Sequence, residues 1–402
     1  MTAADSMPAP AAGPGRRPVH MIKGLDGLRA VAAMAVVAYH INFLARSGTG
    51  PVAEAAAVGW IGVDLFFTIS GFILFLPFAR AARDGGSVPL RRYFVRRARR
   101  ILPAYWLNLF ILVTLTVPVL MTTGRGWSII ASNATFTAEY AGLPSVNVVY
   151  WSLYCELAFY VALPVMALAF IRRRWIAGLI GAVVVGCAYR FAVVSTVDGV
   201  DSYFSLIMQF PGVIDQFAFG MTAGAIWVTL ERRAEPIRMA IAMSLVAGGA
   251  AGVVLIAWVI QRSIGLETYW SGSSDWGPWA IVTLRPLLSA CFAAVIIGVC
   301  ARPSWIRSAL ELRPVRYLGL VSYGIYLWHL PIIRGLAEEV EGRGRSSAFY
   351  LVAFAAVMAL STAWAALSYH FVEKRFLGGG QRPAPPAEPT PHVPMPEVAA
   401  RS

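Results

Sequence analysis

Arg29 and His40 stand eleven residues apart in Gly24-Leu-Asp-Gly-Leu-Arg-Ala-Val-Ala-Ala-Met-Ala-Val-Val-Ala-Tyr-His40. On a straight α-helix this spacing is a rotation of about 1100°, three turns plus about 20°, with a rise of roughly 16 Å. Both side chains therefore share a face, with a cation at one edge of an apolar run and an imidazole deep inside it. Such a pair suits a long ligand with an anionic head, with His40 in the neutral form that a general base requires. It equally suits an arginine that snorkels as an anchor and a histidine held in a core by hydrogen bonds.

Three further clusters carry ionisable groups. Glu156 lies in Tyr150-Trp-Ser-Leu-Tyr-Cys-Glu-Leu-Ala-Phe-Tyr160. A carboxylate there can orient His40, as an acidic partner fixes a catalytic imidazole, or it can form a structural ion pair with Arg190 or Arg285. Arg96, Arg97, Arg99 and Arg100 precede Ile-Leu-Pro-Ala-Tyr-Trp106. Clustered arginines grip phosphates bidentately, and they also bind anionic lipid or set topology. Tyr326 and His329 fall in Ser322-Tyr-Gly-Ile-Tyr-Leu-Trp-His-Leu-Pro331, where a buried, hydrogen-bonded His329 is the plainer reading. Asp64 and Asp215 are lesser candidates of the same kind.

The elements that position these groups follow from composition. Of 402 residues 58% are apolar and 14% charged, whereas a soluble chain carries about a quarter charged residues. Val31–Leu44, Val58–Ala79, Ile101–Met121, Leu157–Ile171 and Met239–Ile260 are near-continuous apolar runs. Several reach the roughly 20 residues that an α-helix needs to cross a ~30 Å hydrocarbon core. Runs of this length exclude an outer-membrane barrel, whose strands are about ten residues long and alternate. The expected fold is all-α, a polytopic helical membrane bundle of about ten transmembrane helices. The spans are placed at 28–45, 58–79, 101–121, 149–171, 175–195, 206–230, 239–260, 279–301, 316–336 and 348–371. An ionisable group inside a span costs several kcal/mol unless it is paired or lines a wet cavity, which singles out the residues above.

The net charge of +13 resolves into topology. One set of loops holds 25 of the 34 Lys and Arg residues and the opposite set holds six. This is the positive-inside bias, and it places both termini in the cytoplasm. A nucleic-acid partner is therefore not expected; membrane lipids are. Cys155, Cys187, Cys291 and Cys300 all lie in apolar contexts without Cys-x-x-Cys or Cys/His spacing, so no metal site or disulfide framework is expected. The first thirty residues lack an apolar core of the signal-peptide type, and the first span is expected to act as an uncleaved anchor.

The domain reading is a disordered cytoplasmic segment over 1–20, a transmembrane domain over 21–377 and a disordered Pro-rich tail over 378–402. The Thr122–Val148 loop is expected on the non-cytoplasmic side with short helices. Gln261–Trp279, which contains Tyr269, Trp270, Trp276 and Trp279, reads as an interfacial aromatic belt or as a lid.

Taken in order, these stretches resemble the membrane-bound acyltransferase-3 family from about Lys23 to Phe376. Arg29 and His40 fit that family's arginine–ten residues–histidine signature. Gly62-Val-Asp-Leu-Phe-Phe-Thr-Ile-Ser-Gly-Phe72 is similar to its second span, and Arg96, Arg97, Arg100, Ile101 and Pro103 to the basic start of its third. Trp151-Ser-Leu through Glu156 to Phe159-Tyr160 resembles its glutamate segment. Here Cys155-Glu156-Leu157 stands where many members carry a second acidic residue. Ser322 to His329 and Phe371-Val-Glu-Lys374 resemble its closing motifs.

The resemblance implies an O-acyltransferase of a bacterial plasma membrane. It implies acyl-CoA, acetyl-CoA first, as co-substrate rather than as a bound cofactor, and a carbohydrate or glycosylated small molecule as acceptor. It further implies catalytic roles for His40 and Glu156 and donor binding by Arg29, Arg96, Arg97 and Arg100, with Tyr326 and His329 as other candidates. Many relatives carry a fused esterase-like domain that is not found here, so a second transfer step on the far side is expected to need another protein. The competing class is a transporter of a sugar- or lipid-linked substrate, for which inverted repeats and paired broken helices are the signature.

Overall fold

The computed structural model describes residues 22–44, 51–171, 174–197, 205–233, 235–259, 277–340 and 346–377. The expected disordered ends and most of the aromatic segment Gln261–Trp279 lie outside the described residues. Among the described residues ten long helices follow one another: α1 (Leu25–Leu44), α2 (Ile61–Arg83), α3 (Leu90–Ile111), α4 (Tyr150–Phe170), α5 (Trp175–Thr196), α6 (Phe210–Leu230), α7 (Met239–Val259), α8 (Gly277–Ala301), α9 (Ser322–Val340) and α10 (Ser347–Ser368). Among the described residues, eight helices are long and apolar enough to cross a membrane. The two long helices outside that set, α1 and α9, carry His40 and His329. Each expected span overlaps a long helix at least in part.

Two boundaries differ from expectation, both for physical reasons. The third span was expected over 101–121, yet α3 begins at Leu90 and places Arg91 to Arg100 inside a helix. Its first half is amphipathic, burying Tyr93 and Ile101 while most of its arginines stay exposed. A hydropathy count sees those arginines as a loop, although their stems and backbone are helical. Beyond Ile111 the chain continues as a π turn (Leu112–Thr116) and a 3-10 turn (Pro118–Thr122). The span expected over 316–336 is also divided, into a short helix Arg313–Leu320 and α9. Gly319 packs so closely on α1 that a Cβ there would overlap the Asp26 carbonyl. The outer loop carries the expected short helix, Gly124–Ala134.

Small residues let the helices approach. α2 crosses α6 in the most extensive helix contact of the bundle. A Cβ on Gly71 would meet the Phe217 carbonyl, and one on Gly220 the Thr68 carbonyl. Close backbone approach between small residues is the usual basis of helix association in lipid. Around this crossing, Arg190 of α5 is fully buried. It donates to Asp215 Oδ2 of α6 at 2.8 Å, to the Gly212 carbonyl at 2.6 Å and to the Val282 carbonyl of α8 at 3.2 Å. These bonds from one buried guanidinium tie three helices together.

Candidate active site

Two cavities lie side by side in the bundle and share Val63, Phe67 and Tyr326 as lining residues. The first, of about 130 Å³, is lined by Arg29, Arg97 and Arg100 together with Ser70, Glu156 and Tyr160. Arg29 stands one turn into α1, and Arg97 and Arg100 stand on the first half of α3. Arg96 is exposed and is not among the lining residues. Successive helical residues are about 100° apart, so Arg96 and Arg97 flank Arg100 on opposite sides and only the Arg97 side faces inward. The structure thus brings three of the four predicted arginines to one cavity.

Arg100 is held from behind. Its guanidinium lies 3.6 Å from a Glu373 carboxylate oxygen and donates to the Leu320 carbonyl at 3.5 Å. Glu373 is buried in the π turn Tyr369–Glu373 that closes α10. The sequence motif around Phe371 to Lys374 therefore has a local purpose: its carboxylate faces the basic start of α3.

Glu156 shares this first cavity. Its Oε1 accepts from Ser70 at 3.0 Å and from Tyr160 at 2.7 Å. Of the two arginines weighed as its structural partner, Arg190 pairs with Asp215, and Arg285 lies 4.0 Å from Asp64. Glu156 is also not the described hydrogen-bonding partner of His40. Glu156 lines the first cavity and His40 the second, and a described partner of His40 is another side chain.

That other group is His329. His40 lines the second cavity, of about 450 Å³, with Trp60, Asp64, Trp151, Gln216 and Arg285. His40 Nδ1 lies 2.9 Å from the Val36 carbonyl and 3.2 Å from His329 Nε2. A carbonyl only accepts, so the Nδ1 of neutral His40 carries the proton. By the same logic His329 Nδ1 donates to the Ile325 carbonyl at 3.2 Å, and its Nε2 offers a lone pair to His40. The arrangement leaves Nε2 of His40 as the unprotonated nitrogen. The His40–His329 contact joins residues 289 positions apart and no sequence spacing announces it.

Tyr326 lines both cavities. Its hydroxyl is 2.6 Å from that of Ser152 and donates to the Val149 carbonyl at 3.2 Å. Around it a buried polar layer locks α9 to α3 and α4: Asn108 and Asn147 both donate to the Leu327 carbonyl, at 3.4 and 3.1 Å. Tyr150 donates to Asn108 Oδ1 at 2.7 Å. Sequence reasoning passed over Ser70, Ser152, Trp60 and Gln216. Gln216 had a signal, an amide inside an apolar run, that the search for ionisable groups did not register.

Residues 22–370 match the acyltransferase domain that defines the acyltransferase-3 family. The chain belongs to the acyltransferase-3 family. Among curated relatives, the Bacillus subtilis protein named "Putative peptidoglycan O-acetyltransferase YrhL" is 29% identical over 374 residues, which is 88% of this chain and 54% of the relative. Peptidoglycan O-acetyltransferase OatA of Listeria monocytogenes is 28% identical over 341 residues, 78% of this chain and 49% of the relative. The chain thus spans about half the length of these relatives. No solved structure matches it.

Proposed function

We propose that this chain is an integral membrane O-acyltransferase that moves an acyl group, acetyl first, from acyl-CoA to a carbohydrate hydroxyl in a bacterial plasma membrane. The observation that carries this reading is the adjacency of two cavities, one lined by three arginines and the other by His40. Arg29, Arg97 and Arg100 take the phosphates of the donor at the basic, cytoplasmic end, where guanidinium groups grip them bidentately. Arg96, exposed beside the mouth, adds long-range attraction. The pantetheine arm then follows α1, whose Arg29–His40 rise of roughly 16 Å sets the reach from phosphates to chemistry.

At the junction, Nε2 of His40 takes the proton of the acceptor hydroxyl as its oxygen attacks the thioester carbonyl. The C–O bond forms, the C–S bond breaks, and the proton passes to the departing thiolate. The imidazolium that forms in between is stabilised through Nδ1–H by the Val36 carbonyl and His329 Nε2. Glu156, with Ser70 and Tyr160, balances the arginine cluster and shapes the first cavity. General-base help contributes about 10²–10⁴ in rate; holding thioester and hydroxyl together supplies much of the remainder. The relatives' names favour a cell-wall or surface polysaccharide acceptor over a macrolide-type compound.

The test supplies radiolabelled acetyl-CoA and sugar acceptors to membranes containing the protein or its His40→Ala variant. Transfer is expected to fall by about 10²–10⁴ in the variant. Undiminished transfer by correctly folded His40→Ala would overturn the assignment of His40.

A further inference from the structure

The second cavity contains a polar group for which the chemistry above has no use. Gln216, on α6, is fully buried and lines this cavity. Neither its side-chain oxygen nor its side-chain nitrogen has a hydrogen-bond partner among the described residues. Buried side-chain amides are overwhelmingly hydrogen-bonded in folded proteins, because leaving one unsatisfied forfeits its hydration without return. An unsatisfied amide is retained at a disadvantage to the ligand-free fold. Such a group is explained when something else completes it.

Its surroundings say what that would be. Asp64, on α2, lines the same cavity with its Oδ1 lacking a hydrogen-bond partner, although Arg285 Nε stands 4.0 Å away. The Asp64–Arg285 pair cancels its own charge, and the lining's remaining cation, Arg334, is exposed, so the buried groups around Gln216 favour no net charge on the part of the ligand they meet. Trp60 and Trp151 supply indole surface on the same lining. A carboxamide offers one donor face and one acceptor face. Its complement is a neutral group that also both accepts and donates, attached to a ring with an apolar face that packs on an aromatic wall.

We propose that the cavity beside His40 is the acceptor subsite, where Gln216, seconded by Asp64, hydrogen-bonds a hydroxyl or acetamido group of an uncharged sugar ring packed on Trp60 and Trp151. This deepens, and rests on, the acyltransferase reading. The subsite draws Asp64 from α2, Trp151 from α4 and Gln216 from α6 toward His40 of α1. A ring held there has its acyl-accepting hydroxyl within the chamber of the general base. The sugar's other polar groups, not the reacting one, are what Gln216 reads. A site built to hydrogen-bond a substrate group discriminates strongly against analogues lacking it, since its own buried polar atoms then stay unpaired.

The experiment compares the full chain with Gln216→Met, which keeps length and flexibility but removes both polar atoms. Melting of the ligand-free protein in detergent is read first. The variant is expected to melt at the wild-type temperature or a few degrees above it, because an unpartnered amide contributes nothing to the empty fold. A drop of several degrees would show a structural amide and overturn the proposal. Acetyl transfer is then measured with cellotetraose, which offers hydroxyls alone, and with chitotetraose, which adds acetamido groups. The expected result is an acceptor KM raised tenfold or more with the acetyl-CoA KM unchanged within twofold. Loss confined to chitotetraose assigns the acetamido group, and loss on both assigns a hydroxyl. Equal acceptor KM values for variant and wild type would overturn the subsite while leaving the acyltransferase reading intact. If the wild type acetylates neither oligosaccharide while turning over acetyl-CoA with other acceptors, the uncharged-sugar subsite falls. If it uses no acyl-CoA at all, the underlying reading falls as well.

Discussion

A general base in a low-dielectric chamber works only if one of its nitrogens is unprotonated and the charge it acquires is met by a fixed dipole. In His40 both conditions trace to Nδ1, which faces the Val36 carbonyl at 2.9 Å and His329 Nε2 at 3.2 Å. His329 is fully buried and turned by its own bond to the Ile325 carbonyl. It touches no reacting atom in the proposed chemistry, so it is a positioning residue. His329→Leu is expected to lower kcat by about 10–100-fold, in line with the loss of an orienting hydrogen bond. The acetyl-CoA KM should stay within twofold, since the arginine cavity is untouched. His329→Gln, whose side-chain oxygen can accept from Nδ1–H, should recover part of the lost kcat. Equal loss in both variants, or a loss expressed in KM, would mean that His329 serves packing alone. A buried, hydrogen-bonded His329 was legible in the sequence, but its contact with His40 was not. Arg29 and His40 declare themselves because their spacing is helical and local, whereas the His40–His329 contact depends on how α1 and α9 pack. The expectation that a carboxylate orients His40 drew on water-soluble catalytic sites; here the histidine's neighbour is a second imidazole.

Among elements, the spans were legible because hydrocarbon demands long apolar runs with all backbone groups satisfied internally. Boundaries were less so. Arg91 to Arg100 read as a loop, since hydropathy scores side chains and not the helix that carries them; Tyr93 and Ile101, both buried, mark the face that anchors this stretch. The break at Val321 was hidden because the cause, Gly319 against Asp26, lies on another helix. The α2–α6 crossing offers a measurable case. Gly220 faces the Thr68 carbonyl with no room for a Cβ. Gly220→Val should therefore push α2 and α6 apart and cost about 1–3 kcal/mol, the usual range for overpacking, read as a lower melting temperature in detergent. Gly248 on α7 has nothing near its Cβ position. Gly248→Ala is the matched control and should stay within about 0.5 kcal/mol of wild type. A Gly220→Val protein as stable as the control would show that the two helices are not in such close contact.

For the whole molecule, charge and cavity agree on a direction. The loops rich in Lys and Arg lie beside the cavity that holds Arg29, Arg97 and Arg100, whereas the second cavity reaches Val148 and Arg334, both exposed and both toward the opposite end of the bundle. On the proposed reading, the positive-inside bias sets the first mouth on the cytoplasmic side with the acyl-CoA donor and the second mouth on the far side with the glycan acceptor. Donor and acceptor then meet at Tyr326 without either crossing the membrane. On that reading only the acyl group travels, whereas a transporter would carry its whole substrate across. The consequence is a sidedness that vesicles can report. Sealed inside-out membranes should consume added acetyl-CoA at least tenfold faster than sealed right-side-out membranes. Detergent should abolish the difference, because CoA phosphates do not cross an intact bilayer. Equal consumption by both sealed preparations would place the donor mouth on the wrong face, and with it the assignment of the arginine cavity to the nucleotide.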